Sequence, residues 1–204
     1  MKDKKAPGED GLYNEIIKTS IDIIYNPLSE ILKACIKTGY VPKIWQQSRS
    51  AIIPKNGKTD YSKARSYRII ALSANLLKLL ENLVLWHLQD DLKMDEALNQ
   101  KQYGFRKGHS TDTAILNLIE DIQTALKHNH HALGIFLDIE GAFDNIPHSS
   151  IKKAIDRSAA KGMIGDWIYY MVSNRYITLK AFGTKLICRT PKGCPQGGVL
   201  SPFL

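Results

Sequence analysis

The chain has 204 residues, 44% hydrophobic and 24% charged, a balance that suits one ordinary globular domain or two small lobes. It excludes a disordered tail, a collagen-like repeat and a disulfide scaffold. Twenty-eight Lys and Arg against 20 Asp and Glu leave a net charge of +8, which favours a polyanionic partner such as nucleic acid. No apolar run reaches the roughly 20 residues that a bilayer span needs. The start, Met1-Lys2-Asp3-Lys4-Lys5, leads into Ala6-Pro7-Gly8 rather than an apolar signal core, so the expectation is a soluble intracellular chain, nuclear or cytoplasmic. Cys35, Cys188 and Cys194 are an odd set with no C-x-x-C pair and read as reduced thiols.

In chain order, a short helix is expected around Leu12 to Ile17. Next, Ile24, Leu28, Ile31, Leu32 and Cys35 form one helical face. Pro27 suits the first turn of that helix, which places its start near Asn26, and Gly39 with Pro42 stops it. Residues 50–54 read as a short strand, followed by a polar loop over 55–60 rich in turn formers. Leu76, Leu77, Leu80, Val84 and Leu88 predict a long helix over about 73–92 with a core stripe. A second long helix begins at Ser110 or Thr111, with Ile115, Leu118, Ile119, Ile122 and Leu126 on one stripe and Asp112 favouring its N-terminal end.

Leu133-Gly134-Ile135-Phe136-Leu137 is a continuous apolar run, the pattern of a strand buried on both faces, and it ends in Asp138. The chain then turns through Gly141 and Pro147 into a helix carrying Ile151, Ala154 and Ile155, with His148 as a candidate cap. A further helix holds Ile164, Trp167, Ile168 and Met171. Residues 176–188 alternate around Gly183-Thr184, as a β-hairpin does. The fold class is α+β: helices packed on a small antiparallel sheet whose strands come from distant parts of the chain.

Charge distribution says more than net charge. Residues 111–160 hold 4 Lys and Arg against 7 Asp and Glu, whereas 161–204 hold 6 against 1. An acidic stretch inside a basic protein suits carboxylates that hold cations between flanks that hold phosphates. A rigid carboxylate at a strand end, Asp138, matches the hard oxygen ligand that Mg²⁺ requires in nucleotidyl transfer. Taken alone, the segment fits a turn-forming Asp equally well. Gly193-Cys194-Pro195-Gln196-Gly197-Gly198 lets backbone approach a ligand closely and offers a Gln that both donates and accepts. By itself it reads as a loop as readily as a site. His128, His130 and His131 are better explained as loop histidines than as metal ligands, and Glu140 and Asp144 as surface or turn residues.

Six segments in order carry a resemblance. They are Lys5-Ala6-Pro7-Gly8-Glu9-Asp10-Gly11; Gly39-Tyr40-Val41-Pro42-Lys43-Ile44-Trp45; Ile52-Ile53-Pro54-Lys55 with Ser66-Tyr67-Arg68; Tyr103-Gly104-Phe105-Arg106-Lys107-Gly108-His109-Ser110-Thr111; Phe136 to Asp144; and Pro195 to Pro202. Together they resemble the reverse transcriptases of non-LTR (LINE-like) retrotransposons. The resemblance implies a partial right-hand polymerase, with a fingers-like region over about 1–130 and an incomplete palm over about 131–204. Such a protein copies an RNA template into DNA from a primer 3′-hydroxyl, using dNTPs and a two-metal Mg²⁺ centre. By matching position, Asp138 is the catalytic metal ligand, and the Ile139 backbone carbonyl is a second metal contact. Phe143 stands where the family places an aromatic steric gate against a 2′-hydroxyl, although apart from the family it reads as a core aromatic. Gln196 and Gly197 lie against the nucleotide, Arg68 grips its triphosphate and Lys55 is a second phosphate contact. Arg106 and Lys107 reach template phosphates.

Two departures from the family are expected to matter. Ile69 stands where Pro usually follows the Tyr-Arg pair. No Tyr-x-Asp-Asp box follows Asp138 before Leu204, so the second carboxylate cluster and the thumb are missing from this stretch, and the expectation is no polymerase activity for the chain alone. A group II intron maturase is the alternative family. A non-catalytic nucleic-acid-binding remnant and a decayed reading frame are the alternative functions.

Overall fold

The computed structural model describes residues 2–93, 96, 98–181 and 183–204. The elements are α1 (Asn14–Thr19), α2 (Ile21–Thr38), α3 (Lys43–Gln46), β1 (Gln47–Pro54), β2 (Tyr67–Leu72), α4 (Asn75–Trp86), α5 (Thr111–Lys127), α6 (Ala142–Asn145), α7 (His148–Arg157), α8 (Met163–Ser173), β3 (Tyr176–Ala181) and β4 (Thr184–Arg189). The helices accompany one sheet of order β2-β1-β3-β4, and the α+β class holds. The sheet is mixed, not antiparallel: β1 runs antiparallel to β2, β3 antiparallel to β4, and the central pair β1·β3 is parallel. The reason lies in connectivity. Both central strands leave the helical layer at the same end, β1 from α3 and β3 from α8, so Gln47 pairs with Tyr176 and Arg49 with Thr178. The 176–188 hairpin forms as expected; Phe182 lies outside the described residues.

The core is helical. Leu28, Leu32 and Cys35 of α2, Leu77, Leu80 and Val84 of α4, Ile151 and Ile155 of α7, and Trp167, Ile168, Met171 and Val172 of α8 form one buried cluster with Trp45 and Leu200. Each large side chain of this set stabilises the fold by about 1.5–3 kcal/mol through its removal from water. Gly39 closes α2: its N–H and that of Tyr40 bond back to Ile36 and Cys35. The helix begins at Ile21, not near Asn26, so Pro27 lies inside it. The stripe Ile24, Leu28, Leu32 and Cys35 is buried or packed on the core, and that packing outweighs the one hydrogen bond an exposed proline cannot make. Where a single helix over 73–92 was expected, α4 ends at Trp86 and passes into one wide turn, His87–Asp91, in which Leu92 N–H reaches back to His87 O.

Two expectations fail together. Helix α5 forms, capped by Ser110 and Thr113, which exchange hydrogen bonds between side chain and backbone. Yet no α5 residue among the described residues is buried, and Ile115, Leu118, Ile119, Ile122 and Leu126 stay exposed. The run over 133–137 is irregular and not a buried strand: Leu133 is 89%, Phe136 86% and Leu137 92% exposed. A strand needs a neighbour for its N–H and C=O groups, and none of the four described strands pairs with this run. Cys35 and Cys194 are buried free thiols and Cys188 an exposed one. No helix among the described residues is long and apolar enough to cross a membrane.

Candidate functional site

The loop over 193–201 is the point at which distant parts of the chain converge. From the α6 side, Gly193 N–H donates to Ile146 O at 2.8 Å and Cys194 N–H to Phe143 O at 2.7 Å. Gln196 Nε2 donates to Asp144 Oδ2 at 2.8 Å. From the sheet, Ala71 N–H donates to Gln196 O at 2.8 Å, which fastens the loop to the outer edge of β2. From the helical core, Arg175 Nη2 and His148 Nε2 each donate to Gly193 O at 2.9 Å. On the outgoing limb, Glu81 Oε2 accepts Val199 N–H at 2.5 Å and Leu200 N–H at 3.0 Å.

This convergence explains the glycines. Gly193 has φ +80°, and a Cβ there would lie 2.6 Å from Phe143 O and 2.8 Å from Asp144 O. Gly197 has φ +108°, and its Cβ would meet Ala71 O at 3.2 Å. Any side chain at either position would be strained and would push the loop off its neighbours.

The electrostatics follow from burial. Burial raises the Glu81 carboxyl above the ordinary carboxylate range, against the opposing pull of the two amides, Lys78 and Arg175. It lowers the Arg175 guanidinium, which Cys194, Glu81 and Asp144 offset, and it lowers the His148 imidazole, against the bond to Gly193. Because a carbonyl only accepts, His148 Nε2 carries the proton in this bond. His148 therefore braces the loop; it does not cap α7.

The residues singled out in the sequence divide into those this junction gathers and those it does not. Gln196 and Gly197 lie along β2 beside Ala71 and Ile70, and Arg68 is an exposed residue of the same strand. Phe143 is half-buried in α6, its carbonyl holding Cys194. Lys55 directly follows β1, its N–H bonded to Ser66 O beside the start of β2. Ile69 continues β2 without interruption. Asp138 and Ile139 lie in the exposed irregular segment, outside the junction's hydrogen bonds. Arg106 and Lys107 belong to the loop before α5, where Arg106 Nη1 donates to Asn99 O at 3.0 Å. His128, His130 and His131 join no metal-binding group, since the described residues contain no cluster of three His, Cys, Asp or Glu able to hold an ion.

Sequence reasoning missed Glu81, Arg175 and the Asp144–Gln196 bond. One signal was available: Glu81 falls at i+4 from Leu77 and three residues before Val84, on the stripe that must face the core. Arg175 and Asp144 carried no such mark.

Residues 53–204 match the family model described as reverse transcriptase (RNA-dependent DNA polymerase). Over 98% of its length the chain is 32% identical to the RNA-directed DNA polymerase from mobile element jockey of Drosophila melanogaster, of which it covers 22%. Over its whole length it is 30% identical to the putative 115 kDa protein in type-1 retrotransposable element R1DM of the same fly, covering 19%. A Pol polyprotein from type-1 retrotransposable element R2 of Popillia japonica is 27% identical over 98% of the chain. The chain belongs to the reverse transcriptase family. Its relatives are the reverse transcriptases of non-LTR retrotransposons, as the resemblance implied, and it spans about a fifth of their length. The reverse transcriptase model takes in β1 from Ile53 onward, the segment around Asp138 and the 193–201 loop, while the whole-chain matches extend to α1 and α2.

Reverse transcriptases as a family use divalent metal ions, and a hard cation of this kind takes about six oxygen ligands. Among the described residues, Asp138 and the Ile139 carbonyl stand exposed with no cluster of further carboxylates around them. They do not by themselves fit a two-metal centre.

Proposed function

We propose that the chain is the fingers region, about 1–130, and the adjoining palm portion, about 131–204, of an RNA-directed DNA polymerase from a mobile element. In this reading the 193–201 loop and β2 make the surface that receives the incoming dNTP. The observation that carries it is the junction itself: the bonds that Cys194 N–H donates to Phe143 O, Gln196 Nε2 to Asp144 and Ala71 N–H to Gln196 O bring the segment after Asp138, the Pro-Gln-Gly loop and the strand of Arg68 together. Arg68 offers a planar fork for bidentate phosphate contact, and Lys55 adds a second cation. Gln196 and Gly197 lie against sugar and base, and the Phe143 ring excludes a 2′-hydroxyl. Asp138 and the Ile139 carbonyl supply ligands for Mg²⁺ once further carboxylates adjoin them. Arg106 and Lys107 touch template phosphates.

Equilibrium binding of a labelled dNTP with Mg²⁺ to the 204-residue chain tests this. Arg68→Ala is expected to weaken binding by about tenfold or more, and equal affinity in wild type and variant would overturn the assignment. The chain alone is expected not to extend a primer on RNA; robust extension lost in Asp138→Ala would show that its metal site is sufficient.

Nucleic-acid binding without chemistry is favoured by a separate observation. The strand register puts Arg49, Arg68, Lys180, Lys185 and Arg189 on one face of the sheet, where Glu9 pairs with Lys180 and Lys185 and leaves the face net basic. Such a face binds an RNA–DNA hybrid through phosphates, with an affinity that falls steeply with salt.

A further inference from the structure

Two charged side chains lie deep in the core, and neither is needed for the nucleotide contacts proposed above. Glu81, 1% exposed, stands on the buried stripe of α4. Arg175, 7% exposed, lies just beyond the end of α8. A buried charge is costly unless hydrogen bonds satisfy it, and a well-packed apolar residue at either place would commonly be as stable. Each of the two residues bonds to the backbone of the same loop. Arg175 Nη2 holds Gly193 O where the loop enters, while its Nε is anchored on Val172 O at 3.1 Å. Glu81 Oε2 holds the N–H groups of Val199 and Leu200 where the loop leaves. Gln196 and Gly197 lie between these two grips. The other carboxylate oxygen of Glu81 has no hydrogen-bond partner among the described residues. Glu81, with Ser48, Ser73 and Arg175, borders a void of about 10 Å³, and the two loop amides take all the hydrogen bonds its carboxylate makes among the described residues.

We propose that Glu81 and Arg175 are positioning residues that grip the two limbs of the 193–200 loop and thereby set where Gln196 and Gly197 meet a deoxynucleoside triphosphate; the nucleotide half of this rests on the function proposed above. The bonds to Gly193 and Leu200 are buried and the bond to Val199 is partly buried, so water competes poorly for them. The Gln196–Asp144 bond, by contrast, lies at the exposed surface, where water competes for both partners. The two grips hold the limbs of the loop from inside the core, while the Ala71 N–H bond to Gln196 O fastens its middle to β2 and the Asp144 bond orients the Gln196 side chain.

Amide hydrogen exchange and labelled-dNTP binding, both on the full 204-residue chain, test the proposal. Glu81→Leu keeps a core-sized side chain and removes both acceptor oxygens. Glu81→Gln keeps an acceptor and removes the charge. In the Leu variant, the amides of Val199 and Leu200 are expected to exchange about thirtyfold faster or more, while those of Trp167 and Val172 in α8 change by less than about threefold. In the Gln variant, whose neutral oxygen is a weaker acceptor than a carboxylate, the selective acceleration is expected to lie between about twofold and fivefold, and dNTP affinity should fall in the same order. Wild-type protection of Val199 and Leu200 in the Leu variant would overturn the proposal, as would equal acceleration at the loop and at α8, which marks a merely structural role. Should the Leu variant not fold, the ratio of loop to α8 exchange in the Gln variant decides: a ratio above wild type supports the grip, an unchanged ratio refutes it. A wild-type chain that binds no dNTP removes the nucleotide reading, and the exchange ratios still judge the grip.

Discussion

At the scale of single residues, the contacts that span the greatest sequence distance are made by acids. Glu9 joins the N-terminal segment to the β3·β4 hairpin: its Oε1 lies 2.5 Å from Lys185 Nζ and 3.8 Å from Lys180 Nζ, and its side chain is only 15% exposed. The hydrogen bond from Lys185 holds this carboxyl below its ordinary value, burial opposes it, and Lys180 and Arg49 assist. Because the folded pKa lies below the unfolded one, the stabilisation is complete above the unfolded value of about 4.5 and is lost as pH falls through the folded value. Denaturant midpoints of wild type and Glu9→Gln should therefore differ near neutral pH and converge below about pH 4.5. A difference that stays constant down to pH 3 would show that the ion pair contributes nothing.

At the scale of elements, α2 shows tertiary packing overriding a local rule. Pro27 removes one helical N–H from the middle of Ile21–Thr38, yet the helix continues because its buried stripe packs on the core. The proline is exposed and stands outside the core cluster. Pro27→Ala is expected to stabilise the chain by about 1–2 kcal/mol, the helix gain of roughly 3 kcal/mol being partly cancelled by the freer unfolded state. Thermal or urea denaturation reads this directly, and an unchanged or lower midpoint would mean that the proline's fixed backbone angle is itself needed for packing. The same logic, inverted, applies to α5. Its periodicity and cap suffice to make it a helix, but periodicity cannot supply the surface on which an apolar stripe packs.

At the scale of the whole molecule, the exposed stripe of α5 and the exposed run from Leu133 to Ile139 are large apolar surfaces on a chain with a well-packed core elsewhere. Surfaces of this kind drive association, and an unpaired apolar segment invites strand pairing between copies. The chain is expected to self-associate at micromolar concentration. Leu118→Glu with Ile122→Lys should reduce that association in light scattering, with stability changed by no more than about 0.5 kcal/mol, because neither side chain is buried. Loss of folding in this double variant would show that α5 contributes to the core after all.

The local part of this architecture was legible in the sequence. The stripes of α2, α4, α7 and α8, the Ser110 cap, the Gly39 stop and the 176–188 hairpin depend on neighbours three, four or two positions away, which sequence alone specifies. The ordered boxes carried the reverse transcriptase resemblance for the same reason, each being a short run whose spacing can be read directly. What remained hidden was decided by partners far along the chain. The parallel β1·β3 pair joins residues that enter the sheet from separate helices, and the run before Asp138 stays irregular because no described strand pairs with it. Glu81 reaches amides 118 and 119 positions onward, and Asp144 meets Gln196 across 52. Periodicity fixes which face of an element is apolar; which surface covers that face, and which backbone a buried charge must satisfy, are settled only when the elements pack.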